Sequence, residues 1–152
     1  MRRAIYERLE SILPGNAYVL QHRSILERDL NNPDLAMRYA RESLKIEPKN
    51  VTLKNTLGLA LEFAGRTSDD PLRRQGLLSE ANKIFDEGIR REPRDPYGYV
   101  GKVSILRQEA KSEKDPSRRA ALRARVLSLL EEANETTDES PIIAGQLNPS
   151  KV

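Results

Sequence analysis

A chain of 152 residues can form one ordinary domain, but with 38% hydrophobic and 32% charged residues it specifies a thin, well-solvated body. Its 26 basic and 23 acidic residues leave a net charge of only +3, and Arg2-Arg3, Arg73-Arg74, Arg90-Arg91 and Arg118-Arg119 are dispersed among acids, so a phosphate-tracking surface is disfavoured. No cysteine and the single histidine His22 exclude disulfide and thiolate-metal frameworks and leave no conventional histidine metal site, while two Phe, five Tyr and no Trp offer few platforms for base stacking.

The first segment, residues 2 to 13, carries Ile5, Leu9, Ile12 and Leu13 at helical spacing, and Pro14-Gly15 closes it. Glu7 and Glu10 fall where a secretory signal would need an apolar run, and no stretch approaches the ~20 apolar residues of a membrane span. The expectation is a cytoplasmic protein that does not enter a membrane. Asn16 is a candidate N-cap for a second helix with Leu20, Ile25, Leu26 and Leu30, closed by Asn31-Asn32-Pro33. A third runs from Pro33 to Ile46, with Leu35, Ala36, Tyr39, Ala40, Leu44 and Ile46 facing inward.

Val51, Leu53, Leu57, Leu59, Leu61 and Phe63 define a fourth helix, ended by Gly65 and followed by a polar loop into Asp70-Pro71. Asp accepts hydrogen bonds from the first free amides, and Pro at the first helical position gives up only a donor without a partner. The fifth helix spans Pro71 to Arg91, with Leu77, Leu78, Ala81, Ile84, Phe85 and Ile89 as its stripe. A sixth, from Pro96 to Ser112, carries Tyr99, Val103 and Leu106, and a seventh opens at Asp115-Pro116 and continues to about Asn134 through Leu122, Val126, Leu129, Leu130 and Ala133. No segment alternates with period two, so the fold class is all-α, with about seven antiparallel helices. Residues 142–152 read as a flexible tail unless Ile142-Ile143 cap the last hairpin.

Pro14, Pro48, Pro93 and Pro141 each follow a helical segment, at gaps of 34, 45 and 48 residues. The second helix of each unit keeps small, aromatic or large, small and proline positions in one frame: Ala36, Ala40, Ser43, Pro48; Ala81, Phe85, Gly88, Pro93; and, with more departures, Leu129, Ala133, Thr136, Pro141. Tyr6, Leu9 and Pro14 preserve the later part of this frame. In the first helices, Lys54, Leu57-Gly58 and Leu61 keep the centre of a second pattern; Leu20, Arg23-Ser24 and Glu27 keep one small residue, and Tyr99, Lys102-Val103 and Leu106 lack the glycine. With these residues the chain resembles the tetratricopeptide repeat family over most of residues 1 to 141.

The resemblance implies a right-handed α-α superhelix, a solenoid with a leading helix at 2–13 and hairpin units at about 16–48, 51–93 and 96–141. It implies a non-enzymatic scaffold that binds a peptide or protein segment in a concave groove, without cofactor or metal. The groove face transfers to Tyr18, Gln21 and Arg28 in the first complete unit, Asn55 and Glu62 in the second, and Tyr97 and Arg107 in the third. The family's two-carboxylate clamp for chaperone C-termini is not expected, because Gln21 and Thr56 stand where it wants Lys and Asn. Alternatives are self-association or a spacer role, on a looser similarity to helical-repeat tails of bacterial sensor and signalling proteins, and nucleic-acid contact through Arg73, Arg74, Arg118 and Arg119. The chain starts on a second-type helix, so contact with another domain or another copy is expected there, as in a piece of a longer protein.

With no cysteine, one histidine and no Gly-rich phosphate loop, the inventory for catalysis is poor, and Asp69-Asp70 and Glu131-Glu132 read as solvated surface. The second and third units exceed the 34-residue period by 11 and 14 residues, expected between their two helices, and both insertions open with Asp-Pro-x-Arg-Arg.

Overall fold

The computed structural model describes residues 2–137 and 141–146. Among them the chain is helical without strands: α1 (Arg2–Ile12), α2 (Ala17–Asp29), α3 (Pro33–Ile46), α4 (Val51–Thr67), α5 (Pro71–Arg91), α6 (Pro96–Ser112), α7 (Pro116–Thr136) and α8 (Pro141–Gln146). Local chemistry sets most of these boundaries. Asn16, Asn50 and Asp95 accept hydrogen bonds from the first-turn amides of α2, α4 and α6, and Asp115 does the same for α7. The end of α2 is a Schellman turn: Asn31 adopts φ 60°, its N–H reaches the Arg28 carbonyl at 3.0 Å, and the Asn32 N–H reaches the Glu27 carbonyl at 2.8 Å.

The longer units put their extra residues into helix. The 17-residue α4 exceeds the 13-residue α2 by four, and the 21-residue α5 exceeds the 14-residue α3 by seven, which accounts for the full excess of eleven in the second unit. Helices α6 and α7 repeat these lengths, so the third unit also holds eleven extra residues in its helices, and its last three fall after α7 rather than between the pair. Four residues make just over one helical turn and seven just under two, so each lengthened helix gains nearly whole turns.

Gly65 does not end α4, which continues to Thr67. A Cβ at this position would lie 2.9 Å from the Leu78 side chain, so the glycine lets α5 come close to α4.

The described residues form two compact units, divided inside α5 between Ile84 and Phe85. In the first, α2 and α3 form a hairpin and α4 packs on both. Ala36, Ala40 and Ser43 are fully buried, and the Ser24 hydroxyl donates to the Ala36 carbonyl at 2.8 Å, so the small positions of the repeat frame lie where the helices approach closely. Helix α4 is enclosed on nearly every side from Leu53 to Gly65. Ile46, expected inside, is exposed at the end of its helix, as is Leu30 just past the end of α2.

Helix α1 has no buried residue, and Ile5, Ile12 and Leu13 of its apolar stripe remain exposed. Polar contacts hold it to α2. Arg3 donates two hydrogen bonds to Glu27, at 2.9 and 2.6 Å, and Arg23 pairs with Glu10 while its guanidinium lies 4.2 Å from the centre of the Tyr39 ring. The Tyr6 and His22 rings stack at 6.3 Å.

In the second unit, Tyr99, Val103 and Leu106 of α6 pack with Val126, Leu130 and Ala133 of α7 and with Ile143 of α8. A segment expected as tail is therefore helical at its start, and fully buried Ile143 supplies the cap on the last hairpin, whereas Ile142 is exposed. The rest of that expected tail lies outside the described residues. Gly98 and Gly101 seat α6 against the end of α5: a Cβ on Gly101 would come within 2.1 Å of the Phe85 ring. These glycines lie off the Leu-Gly frame, so the third unit achieves close approach at different positions.

Candidate functional site

The seven candidate residues fall on one register. On α2 the series at spacings of three, four and three is Tyr18, Gln21, Ile25 and Arg28; the matching series are Thr52, Asn55, Leu59 and Glu62 on α4, and Tyr97, Val100, Ser104 and Arg107 on α6. Residues at these spacings share a helix face. Each series starts two residues after its cap, and the caps fix the first turn: Asn16 Oδ1 accepts from the Tyr18 amide at 3.0 Å and Asp95 Oδ1 from the Tyr97 amide at 3.0 Å. The first-helix caps Asn16, Asn50 and Asp95 recur at 34 and 45 residues, like the prolines. Ile25, Thr52, Leu59, Val100 and Ser104 were missed as face positions. Ile25 and Leu59 read as core by hydrophobicity alone, yet they are only half-buried, and the recurrence of the caps is the signal that places them.

In the first unit this face is partly closed. Gln21 is buried and its amide donates to Thr56 Oγ1 at 2.8 Å, tying α2 to α4, while Thr56 Oγ1 donates to the Thr52 carbonyl at 3.0 Å. Asn55 is 1% exposed, and Glu62 is buried with the Arg66 guanidinium 3.4 Å away. Gln21, Asn55 and Glu62 are thus enclosed in this conformation instead of lining open solvent. Tyr18 is 51% exposed and Arg28 half-buried, so these two present the open part of the series. In the second unit Tyr97 is 42% exposed. Arg107 is half-buried, and burial pulls its guanidinium below its ordinary value.

The arginines that open the long second helices have mostly internal tasks. Arg74 directs Nε and Nη2 to the Ser68 carbonyl at 3.2 and 2.6 Å, and Arg119 does the same to the Glu113 carbonyl at 3.0 and 2.7 Å. In each case a guanidinium fork closes the three-residue loop in front of its own helix. Arg73 pairs with Asp34, and Arg118 is exposed. Three of the four arginines considered for nucleic acid are therefore already engaged within the protein. A groove of about 790 Å³ between the end of α6 and the start of α7 is lined by Glu109 and Glu113 as well as Lys114, Arg118 and Arg125, a mixture of signs ill suited to a phosphate chain.

One member of each acidic pair has an internal partner. Asp70 caps α5 through the Leu72 amide at 2.9 Å, and Glu132 accepts from the Tyr99 hydroxyl at 3.4 Å, where burial raises the phenol above its ordinary value. Among the described residues no three His, Cys, Asp or Glu side chains converge as metal ligands, and no helix is long and apolar enough to cross a membrane. Compared with family models, curated proteins and solved structures, the chain matches none.

Proposed function

We propose that the chain is a non-enzymatic, tetratricopeptide-like binding module of the cytoplasm, which captures an extended protein segment on the repeated face of its first helices. The observation that carries this reading is the recurrence of that register: each first helix repeats the face at the same distance from its own cap, with the amide and aliphatic kept on α4 as Asn55 and Leu59 and the tyrosine and arginine kept on α6 as Tyr97 and Arg107. Exposed tyrosines offer flat area at low conformational cost, and a half-buried arginine provides a preorganised partner for a carboxylate. The enclosed amides support the reading in a different way. By tying α2 to α4, Gln21 holds the helix that presents Tyr18 and Arg28 against its neighbour.

The test uses the whole chain, immobilised and offered a random peptide library. Enriched peptides should lose at least about tenfold in affinity to the double variant Tyr18→Ala and Arg28→Ala, as expected when two anchor residues are truncated. Its thermal midpoint should stay near that of the unsubstituted protein, because neither side chain is in the core. Enriched peptides that bind both proteins equally, or a library from which nothing is enriched, would overturn the assignment.

A further inference from the structure

Helix α7 has a second face that its unit does not use. Val126, Leu130 and Ala133 are buried against the rest of the unit, while Ala120, Arg123, Ala124, Leu127, Glu131 and Glu135 are exposed. Ala120, Ala124, Leu127 and Glu131 follow one another at spacings of four, three and four, the seam of a helix that packs lengthwise on another. Leu127 is 43% exposed, and a shallow groove of about 470 Å³ runs beside it along Arg119, Ala120, Arg123 and Ala124.

The charges on this face run in a particular order. Arg119 and Arg123 precede Leu127 by eight and four residues, and Glu131 and Glu135 follow it by four and eight. Reversing the helix about Leu127 therefore lays Arg123 on Glu131, while Arg119 stays committed to the Glu113 carbonyl of its own loop. This order opposes the helix's own dipole: there is no acidic residue in the first turn of α7 and no basic residue in the last. Carboxylates are favoured at helix N-termini and cations at C-termini, so the arrangement gains nothing within one chain. Arg123, Glu131 and Glu135 also take part in none of the ion pairs among the described residues. Helix α5 opens with the same Asp-Pro-x-Arg-Arg words but ends on Arg90-Arg91, so it has no such reversal.

We propose that the outer face of α7 pairs antiparallel with the same face of a second copy, about a two-fold axis near Leu127. A two-fold contact must be complementary to itself, and this face is. The two Leu127 side chains cover each other, and two Arg123–Glu131 pairs flank them. This contact does not depend on the peptide-binding reading, because it uses none of the first-helix residues.

The experiment is sedimentation equilibrium of the full chain over a concentration series, with three proteins: the unsubstituted chain, Arg123→Glu and Glu131→Arg. The unsubstituted chain should dimerise. Each single variant places like charges opposite one another twice across the axis, and should weaken self-association by about a hundredfold or more. An equimolar mixture of the two variants restores opposite charges at both places and should form a heterodimer at the affinity of the unsubstituted chain. Both substitutions are on the surface, and circular dichroism should show unchanged helicity. An unsubstituted chain that stays monomeric at every concentration overturns the proposal. So does a dimer indifferent to both substitutions, or a pair of weakened variants that fail to recover on mixing.

Discussion

Glu27 shows how one side chain organises its surroundings. Its carboxylate is buried on α2, yet it accepts two hydrogen bonds from Arg3 on α1 and a third from Asn32 Nδ2 at 2.9 Å in the turn before α3. The hydrogen bonds from Arg3, more than the opposing effect of burial, hold its pKa below the usual value of 4.5. A carboxylate with a lowered folded-state value stabilises the fold at pH above the unfolded value, and this contribution is lost as pH falls through the folded value. Glu27→Gln should therefore lower the thermal midpoint by a few degrees at pH 7, on the order of 1 kcal/mol for a chain of this size. The deficit should shrink as pH is lowered below 4.5 and vanish once the carboxyl of the unsubstituted protein is protonated. A constant deficit across a melting series from pH 7 downward would mean that packing, and not the charge, is what Glu27 supplies.

The long hairpins repeat one device at the level of the element. An aspartate caps the helix, proline occupies its first position, and the second arginine of the pair folds back to the carbonyl two residues before the cap. Arg119→Met should lower stability by about 1 kcal/mol, since two charge-assisted bonds to a carbonyl at a part-buried loop are lost. Arg118→Met, one residue earlier and exposed, should be close to neutral, and comparison of the two midpoints checks the assignment. The sequence made this element legible because cap, proline and arginines are contiguous; the same locality allowed α3, α5 and α6 to be bounded correctly from their prolines. What it concealed depends on contacts distant in the chain. Gly65 reads as a terminator until Leu78 is seen against it, and Ile142-Ile143 are too short a run to signal a helix before the α6–α7 core is there to receive Ile143. The site was legible as a register but not as a surface. Periodicity places Gln21, Asn55 and Glu62 on the same face as Tyr18 and Arg28, while only the packing of α2 on α4 determines which of them are enclosed.

For the whole molecule, the two units differ in how their interiors are built. The first has a helix, α4, surrounded on nearly all sides and flanked by small residues of α3, whereas the second gathers large side chains, Tyr99, Leu106, Leu130 and Ile143, into one cluster. Leu130 is fully buried in that cluster, and Leu130→Ala should cost about 2–5 kcal/mol through lost transfer energy and the cavity left behind. Cooperative units open locally at free energies set by their own contacts, so the loss should be distributed by unit. Amide hydrogen exchange in α6 and α7 should accelerate by the full factor corresponding to that energy, while amides in α2 and α3, whose buried partners are Ala36, Ala40 and Ser43, should retain most of their protection. Equal acceleration in both sets would show a single cooperative body.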